Sequence, residues 1–406
     1  MSFFTGDQEG VLYTLLRDHP QYADVIGFLR GPLEHFLRER VAPRAAANDR
    51  DEVFDVANFR ALGELGFLSL SYPEKYGGLG VPFPFYCAGL ESVAKADAGF
   101  TLGVAIHGTA SDGIFRFASD ALKDRYLADC ISGRRIAAFA LTETTSGSDA
   151  RRMRTRVEWD ARAGQYVING GKYWITNALD AEVFFLLALG NDDKVSAFAV
   201  EKGWKGTFTQ SKIADKMGVR GSNTAELVFE DYRVPKENLI GELGKGFGYA
   251  MQMLAGGRTT IAAWSTGIAQ GAYEKFLKYA GERELFGKKL RELDNTGREL
   301  SEMQIGIQAG RMMGYTSAFW KSEGKDITKS AAMAKVAATD HAVHVAERAI
   351  ELCGGYGYVQ DSGIERHLRD ALLGRIGEGA NEVLKVVVIA RALLAEFDAD
   401  PVTRTW

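Results

Sequence analysis

Proline is scarce in this chain, and unevenly so. Of 406 residues eight are proline, at positions 20, 32, 43, 73, 82, 84, 235 and 401, so residues 236–400 contain none. Proline breaks helix interiors, and so long a stretch without it is free to be helical. Cysteine is scarcer still. Cys87, Cys130 and Cys353 are an odd number at wide spacing, which makes neither a disulfide framework nor a zinc motif. They read as buried apolar thiols in a reducing, cytoplasmic setting. No apolar run is long enough to cross a bilayer; "VFFLLALG" stops after eight residues. There is no excess of positive charge, the net being −4, so neither nucleic acid nor an anionic membrane is expected as a partner. The first residues, "MSFFTGDQEG", carry no cationic region before an apolar core and are not arginine-rich, so no secretory signal or transit peptide is expected.

What is present falls into blocks. After residue 238 the chain repeats apolar residues at spacings of three and four in "YAMQMLAGGRTTIAAWSTGIAQGAYEKFLKYAGERE", "ELSEMQIGIQAGRMMGYTSAFWKSE", "KSAAMAKVAATDHAVHVAERAIELCGG" and "NEVLKVVVIARALLAEF". Four long amphipathic helices with short connections predict a bundle. Between 136 and 238 the pattern changes to short runs rich in β-branched and aromatic residues, "IAAFALT", "RTRVEWD", "KYWIT", "EVFFLLAL" and "AELVFEDYRV" among them. These predict a small antiparallel, barrel-like β domain. The first 135 residues return to helix. Helix, sheet and helix in separate blocks give an α+β fold of three domains, 1–135 (with 1–24 as an extension), 136–238 and 239–406.

Several familiar chemistries are poorly supported. "GELGKGFG" at 241–248 lacks the Gly-Lys-Ser/Thr ending of a phosphate loop, and "GGYGYVQ" at 354–360 follows a helix rather than a strand. Both read as helix-end punctuation. Asp340, His341, His344 and Glu347 share a helical face, but no second such helix completes a metal site, so no metal is expected. No G-x-S-x-G elbow marks a serine hydrolase. Two stretches in the β block remain. "FALTETTSGSDA" (139–150) joins an apolar strand to hydroxyls and a Gly-Ser turn, and "KYWITNA" (172–178) sets an aromatic beside a hydroxyl. Each alone is a strand and a turn; together they could wall a flat cofactor with polar edges. Finally, "GRIGEGANEVLK" (374–385) sets one carboxylate, Glu378, between two glycines just ahead of an apolar helical run. It reads either as a solvated loop acid, with Asn381 capping the following helix, or as a catalytic base.

Taken in order, these stretches resemble the acyl-CoA dehydrogenases over roughly residues 25–395. The resemblance is carried by "FLRERVAPRAAANDR", "LGELGFLSLSYPEKYGGLG", "AFALTETTSGSDA", "YWITNA", "DKMGVRGSNTAELVFEDYRVPKENLIGELGKGF", "GGRTTIAAWSTGIAQGAYEKFLKYAGERELFGKKL", "CGGYGYVQDSGIERHLRDA" and "IGEGANE". It implies an N-terminal helical domain, a middle β domain and a C-terminal four-helix bundle. It also implies FAD as cofactor and an acyl-CoA substrate oxidised between Cα and Cβ to the trans-2-enoyl thioester. Electrons would pass to an electron-transferring flavoprotein, and the assembly would be a homotetramer or dimer with FAD at the subunit interface. The same scaffold could instead host an oxidase, a monooxygenase or a non-catalytic subunit.

The resemblance also assigns residues. Phe139, Leu141 and Thr142 match the strand beside the flavin, Gly147 and Ser148 the region of its diphosphate and of CoA, and Trp174, Ile175 and Thr176 the neighbours of the ring. Arg283 and Phe286 match residues that reach the FAD of a neighbouring subunit. Glu351, Gly354 and Gly355 match the segment at that cofactor's far end, where glutamine is commoner than Glu351. Ala380 and Glu382 fall in the FAD-contacting stretch after the base, Ala380 in place of a hydroxyl residue. Arg258 matches an arginine on the CoA side. Glu378 matches the base that removes the α-proton, with its own N–H and a flavin hydroxyl stabilising the enolate while the β-hydride leaves to flavin N5. Apolar surroundings should raise its pKa. Gly377 stands where an aromatic is common and Gly379 follows the family pattern. Gly103, Ala105 and Thr109, small residues at the expected end of the acyl pocket, predict room for a medium or longer, or a branched or cyclic, acyl group.

Overall fold

The computed structural model describes residues 2–399. The chain divides into two compact units. One comprises residues 1–37, 82–98 and 258–406; the other comprises 38–81 and 99–257.

The second unit is built on one eight-stranded sheet. Its strands are β1 (Ala137–Ala140), β2 (Arg156–Asp160), β3 (Gln165–Thr176), β4 (Val183–Leu189), β5 (Val195–Val200), β6 (Thr207–Lys212), β7 (Thr224–Pro235) and β8 (Leu239–Ile240). They pair in the order β6-β7-β3-β2-β4-β5-β8, with β1 alongside β4. The α+β class is as expected, but the sheet is mixed and open rather than an antiparallel barrel. β1 pairs with β4 in parallel, Phe139 opposite Phe185, and β2 meets β4 through one parallel pair, Arg156 opposite Leu189. Parallel pairs need a long connection, and here the β2–β3 hairpin supplies it. β4 and β5 are buried along their whole length, as their unbroken apolar runs require. Helical segments complete this unit. His107, on the helix Ala98–Phe117, accepts from the Ala137 N–H at Nδ1 (2.9 Å) and meets the Cys130 carbonyl at Nε2 (3.0 Å). All three cysteines are buried and unbridged.

The first unit is helical. Its long elements are Gly246–Glu282 (from Arg258 onward), Asp294–Ser322, Thr328–Cys353, Ile364–Gly374, and a final run of Asn381–Val383, a π-turn Leu384–Ile389 and Ala390–Ala399. The four long helices read from periodicity are present. A fifth, Ile364–Gly374, is not among the four; its buried face includes two polar residues, His367 and Asp370. Small residues let the helices approach closely: Ala262, Ala334 and Ala338 form one core cluster, and a Cβ on Gly310 would lie 3.3 Å from Ala338. Within the N-terminal extension, which has no assigned role in the sequence, the helix Gly6–Leu16 joins this core through Val11, Leu12 and Leu16. Thr5 and Gln8 form a capping box for the helix Gly6–Leu16, and Gln8 Nε2 donates to the Ala88 carbonyl (3.0 Å).

Beside Gln8 lies a buried ion pair. Arg311 donates to Glu91 (2.7 Å from Nη2) and to Gln270 (3.1 Å), and the Tyr315 hydroxyl donates to the other Glu91 oxygen (2.7 Å). Removing one partner of such a pair strands a buried charge. Arg311→Met should cost about 3–5 kcal/mol in urea denaturation, and Glu91→Leu/Arg311→Met together should recover part of that loss.

Candidate active site

Glu378 sits in a small closed loop. The helix Ile364–Gly374 ends with the N–H groups of Ile376 and Gly377 donating back to the Leu373 carbonyl (2.9 and 2.8 Å). The Asn381 N–H then donates across to the Arg375 carbonyl (2.9 Å), closing the loop. This tight reversal needs left-handed backbone. Glu378 has φ 54° and Gly379 φ 96°. A left-handed non-glycine residue carries strain, and such strain concentrates at functional sites.

The polar groups around the loop are unusual. Glu378 Oε2 is buried and has no hydrogen-bond partner among the described residues, although the residue as a whole is only half-buried. Two buried cations accompany it. Arg258 Nε donates to the Glu378 carbonyl (3.2 Å). Lys335 Nζ donates to the Gly379 carbonyl (2.8 Å) and to Asn381 Oδ1 (2.7 Å). Burial pushes the Glu378 carboxyl up to about 7, against the pull of Arg258 and Lys335. Burial likewise brings Lys335 down to about 7 and lowers Arg258, both against the attraction of Glu378. A carboxyl poised near neutrality, desolvated and unpaired, can exchange a proton at working pH.

Asn381 does not cap the last helix. Ala380 is the N-cap and makes no side-chain cap bond. The Asn381 amide is instead committed to Thr339 Oγ1 (2.9 Å), Asp340 Oδ1 (3.1 Å) and Lys335. Glu382 points away from this cluster into an exposed pair with Lys385 (2.7 Å). Asp340 is held by Arg375 (2.8 Å), and His341 Nε2 meets the Met303 carbonyl (3.1 Å). Among the described residues no group of three or more His, Cys, Asp or Glu side chains could hold a metal ion.

In the sheet unit the other expected residues are adjacent. The Tyr173 N–H donates to the Thr142 carbonyl (2.8 Å), joining the stretch after β1 to the end of β3. The register of β3 against β7 shifts between Lys172 and Ile175, and in that bulge Trp174 has φ 61° and is 56% exposed. Thr142, tied to Tyr173 by that bond, and Thr176, which follows Trp174 on β3, are both half-buried. Phe139, Leu141 and Ile175 lie in the core, Phe139 against Phe185. Gly147 and Ser148 are exposed, and a Cβ on Gly147 would meet only Thr142 Cγ2, at 4.0 Å. An exposed tryptophan held in strained backbone beside open main chain and hydroxyls fits a flat, polar-edged cofactor such as FAD.

A buried pair unread in the sequence supports this wall. Lys172 Nζ donates to the Leu141 carbonyl (3.0 Å) and to Glu143 Oε1 (2.8 Å), and Glu143 accepts from the N–H groups of Arg154 and Thr155 (2.5 and 3.0 Å). The signal available was a lysine inside a strand whose neighbours are apolar or small. Gly103 and Ala105 are packed rather than lining open space. A Cβ on Gly103 would meet Phe54 at 2.5 Å, and Thr109 spends its hydroxyl on the Ala105 carbonyl (3.2 Å).

In the helical unit Arg283 follows the helix Gly246–Glu282, and Phe286 tips the hairpin that comes next, 94% exposed at φ 53°. Tyr279 stacks on Tyr356 at 4.9 Å, which brings that helix end to the turn carrying Gly354 and Gly355. Gly354, at φ 59° and ψ −142°, takes a conformation reserved for glycine. Glu351 pairs with Arg348.

Three family models match the chain: acyl-CoA dehydrogenase N-terminal domain (28–134), middle domain (138–232) and C-terminal domain (244–394). The chain is 37% identical to "Acyl-CoA dehydrogenase, short-chain specific" of Clostridium acetobutylicum, covering 89% of this chain and 96% of that one. It is 36% identical to the structure of butyryl-CoA dehydrogenase from Megasphaera elsdenii, with a TM-score of 0.88 over 91% and 98% of the two chains. A chain in a structure named as electron transferring flavoprotein of Acidaminococcus fermentans is also similar, with 36% identity and a TM-score of 0.87 over 96% and 98%. The chain therefore belongs to the acyl-CoA dehydrogenase family, FAD-dependent oxidoreductases of acyl-CoA thioesters.

The loop geometry carries a direct test. A Cβ at Gly379 would sit 3.3 Å from Leu384 Cδ2 on backbone that disfavours it. Gly379→Ala should cost about 1–3 kcal/mol in thermal denaturation. It should also slow acyl-CoA turnover by about 100-fold, as expected when a reacting group is displaced by an ångström.

Proposed function

We propose that the protein oxidises a short acyl-CoA thioester to its trans-2-enoyl-CoA, with Glu378 as the base. The observation that carries this reading is the buried, unpartnered Glu378 oxygen in strained backbone between two cations. Above pH 7 the carboxylate is free to take the weakly acidic α-proton. Arg258, joined near neutrality by Lys335 while that is still protonated, favours its ionised form despite its burial. The main-chain carbonyls of residues 378 and 379 are turned toward those cations, which fixes the direction of the side chain between them. FAD, when bound, supplies the acceptor for the hydride that leaves the β-carbon. Trp174, Thr142, Thr176, Gly147 and Ser148 would hold it, with Phe139, Leu141 and Ile175 packing the strands behind them.

The tight packing at Gly103 and the short-chain and butyryl names of the relatives favour a short acyl group, where the sequence predicted a medium or longer one. Gly377 leaves space beside the base, since its absent Cβ would meet only Leu373, at 3.5 Å. A branch next to the thioester is therefore accommodated. Electrons pass to an electron-transferring flavoprotein. The assembly is a cytoplasmic homotetramer in which Arg283, Phe286, Glu351, Gly354 and Gly355 reach a second subunit's FAD. Exposed apolar residues of the helical unit, Phe286, Ile305 and Leu394 among them, support an oligomer. No described helix is long and apolar enough to cross a membrane.

Anaerobic mixing with butyryl-, isobutyryl- and octanoyl-CoA, followed by flavin absorbance, tests the reading. Butyryl-CoA and isobutyryl-CoA should bleach the flavin fastest; fastest bleaching by octanoyl-CoA would overturn the short-chain assignment. Glu378→Gln should slow bleaching by about 10³-fold or more. Undiminished bleaching in that variant would remove Glu378 as the base. The pH dependence follows from the raised carboxyl. kcat/KM should fall about tenfold per unit below pH 7 and level off above it.

A further inference from the structure

Lys335 is buried on the helix Thr328–Cys353, in the otherwise small-residue stretch "AAMAKVAATD". Burying a lysine is costly, and an apolar side chain of the same volume would serve packing as well. Both of its hydrogen bonds go to the segment that carries the base, one to the Gly379 carbonyl and one to Asn381. Asn381 in turn closes the loop through its N–H and ties it back to Thr339 and Asp340 on the lysine's own helix. We propose that Lys335 is a positioning residue for the base: it clamps the closed loop 375–381 so that the Glu378 carboxylate stays turned inward, and it holds a positive charge beside that carboxylate. This rests on the assignment of Glu378 above. Arg258 alone cannot do the same, because it grips the carbonyl on the near side of the strained Glu378–Gly379 link and leaves the far side free.

The charged groups facing Lys335 are Glu378, Arg258 and Asp340, and Asp340 is itself engaged by Arg375 and Lys385 (2.8 and 3.6 Å). Removing the lysine therefore takes away a positive neighbour of Glu378 and leaves Arg258 as the remaining one. The consequence separates into two parts. Lost charge moves the pH at which Glu378 ionises upward; lost clamping lowers the rate even when Glu378 is fully ionised.

The experiment is α-proton exchange of butyryl-CoA in D2O on the FAD-loaded protein without electron acceptor, read by mass spectrometry across pH 5–10. It reports proton removal and return at Cα, separately from oxidation. Lys335→Met should lower the high-pH plateau by about 100-fold and raise the midpoint by about one unit. Butyryl-CoA affinity, by equilibrium dialysis, should stay within about threefold, since the lysine is fully buried and its bonds go to the loop. Lys335→Gln, which keeps an N–H donor without the charge, should raise the midpoint equally and lower the plateau by less. It also serves if Lys335→Met does not fold. A plateau within twofold of wild type and an unmoved midpoint in the folded variant would overturn the proposal. Glu378→Gln is run alongside. If that variant still exchanges the α-proton at the wild-type rate, the base assignment falls; if it does not exchange while the lysine variants match wild type, only the role of Lys335 falls.

Discussion

A desolvated carboxylate must be held in place by something other than its own solvation, and the Glu378 loop is arranged around that requirement. Water is excluded from Oε2, which raises the cost of ionisation. Two cations reduce that cost without forming a direct salt bridge to the carboxylate, since both hydrogen-bond to main-chain carbonyls instead. A bidentate ion pair would have lowered the pKa far below neutrality and occupied the lone pairs that must accept a proton. Charge at a distance and hydrogen bonds to the backbone achieve stabilisation while leaving Oε2 without a partner.

The sheet unit solves a related problem in the same way. There a buried lysine, Lys172, also donates to a main-chain carbonyl, that of Leu141, and a left-handed residue, Trp174, again presents the side chain of interest. Glu143 differs from Glu378 in being fully engaged by Lys172 and two backbone N–H groups, which leaves it no oxygen for chemistry. The two lysines thus act alike, whereas the two glutamates differ in how far they are engaged. The glutamate whose hydrogen bonds are complete is structural, and the one with an orphan oxygen is the one we propose as the base.

The legible part of the molecule was whatever depends on period and punctuation. The helical last third followed from its lack of proline and its three-four spacing, and the β block from short β-branched runs. What was not legible depends on contacts distant in sequence. The parallel pairing of β1 with β4 has no local signature, because it is set by the connection rather than by either strand. The burial of His367 and Asp370 in the helix Ile364–Gly374 has no local signal, because tertiary packing covers these polar residues. Asn381 looked like a cap because caps are the usual use of asparagine before a helix; only the fold brings Thr339, Asp340 and Lys335 to its amide. Gly103 looked like spare volume, and Phe54 fills it. Glu378 itself was readable as a base only by resemblance, since nothing in its neighbours shows that its oxygen is sealed.

The raised carboxyl also sets activity against stability. A carboxyl whose pKa rises from 4.5 unfolded to about 7 folded contributes stability that is complete below 4.5 and lost as pH rises through 7. The reaction needs the opposite, the ionised form that prevails above 7. The stability is lost between 4.5 and 7, so little of it is left at the pH where the ionised form comes to prevail. Lys335, lowered from 10.5 to about 7, runs the other way, since its contribution to stability grows as pH rises from 7 toward 10.5. The two windows adjoin rather than overlap: the loss through Glu378 ends near pH 7, where the gain through Lys335 begins. Above that pH the hydrogen bonds of Arg258 and Lys335 to the carbonyls of Glu378 and Gly379, rather than a salt bridge, hold the strained loop of the proposed base.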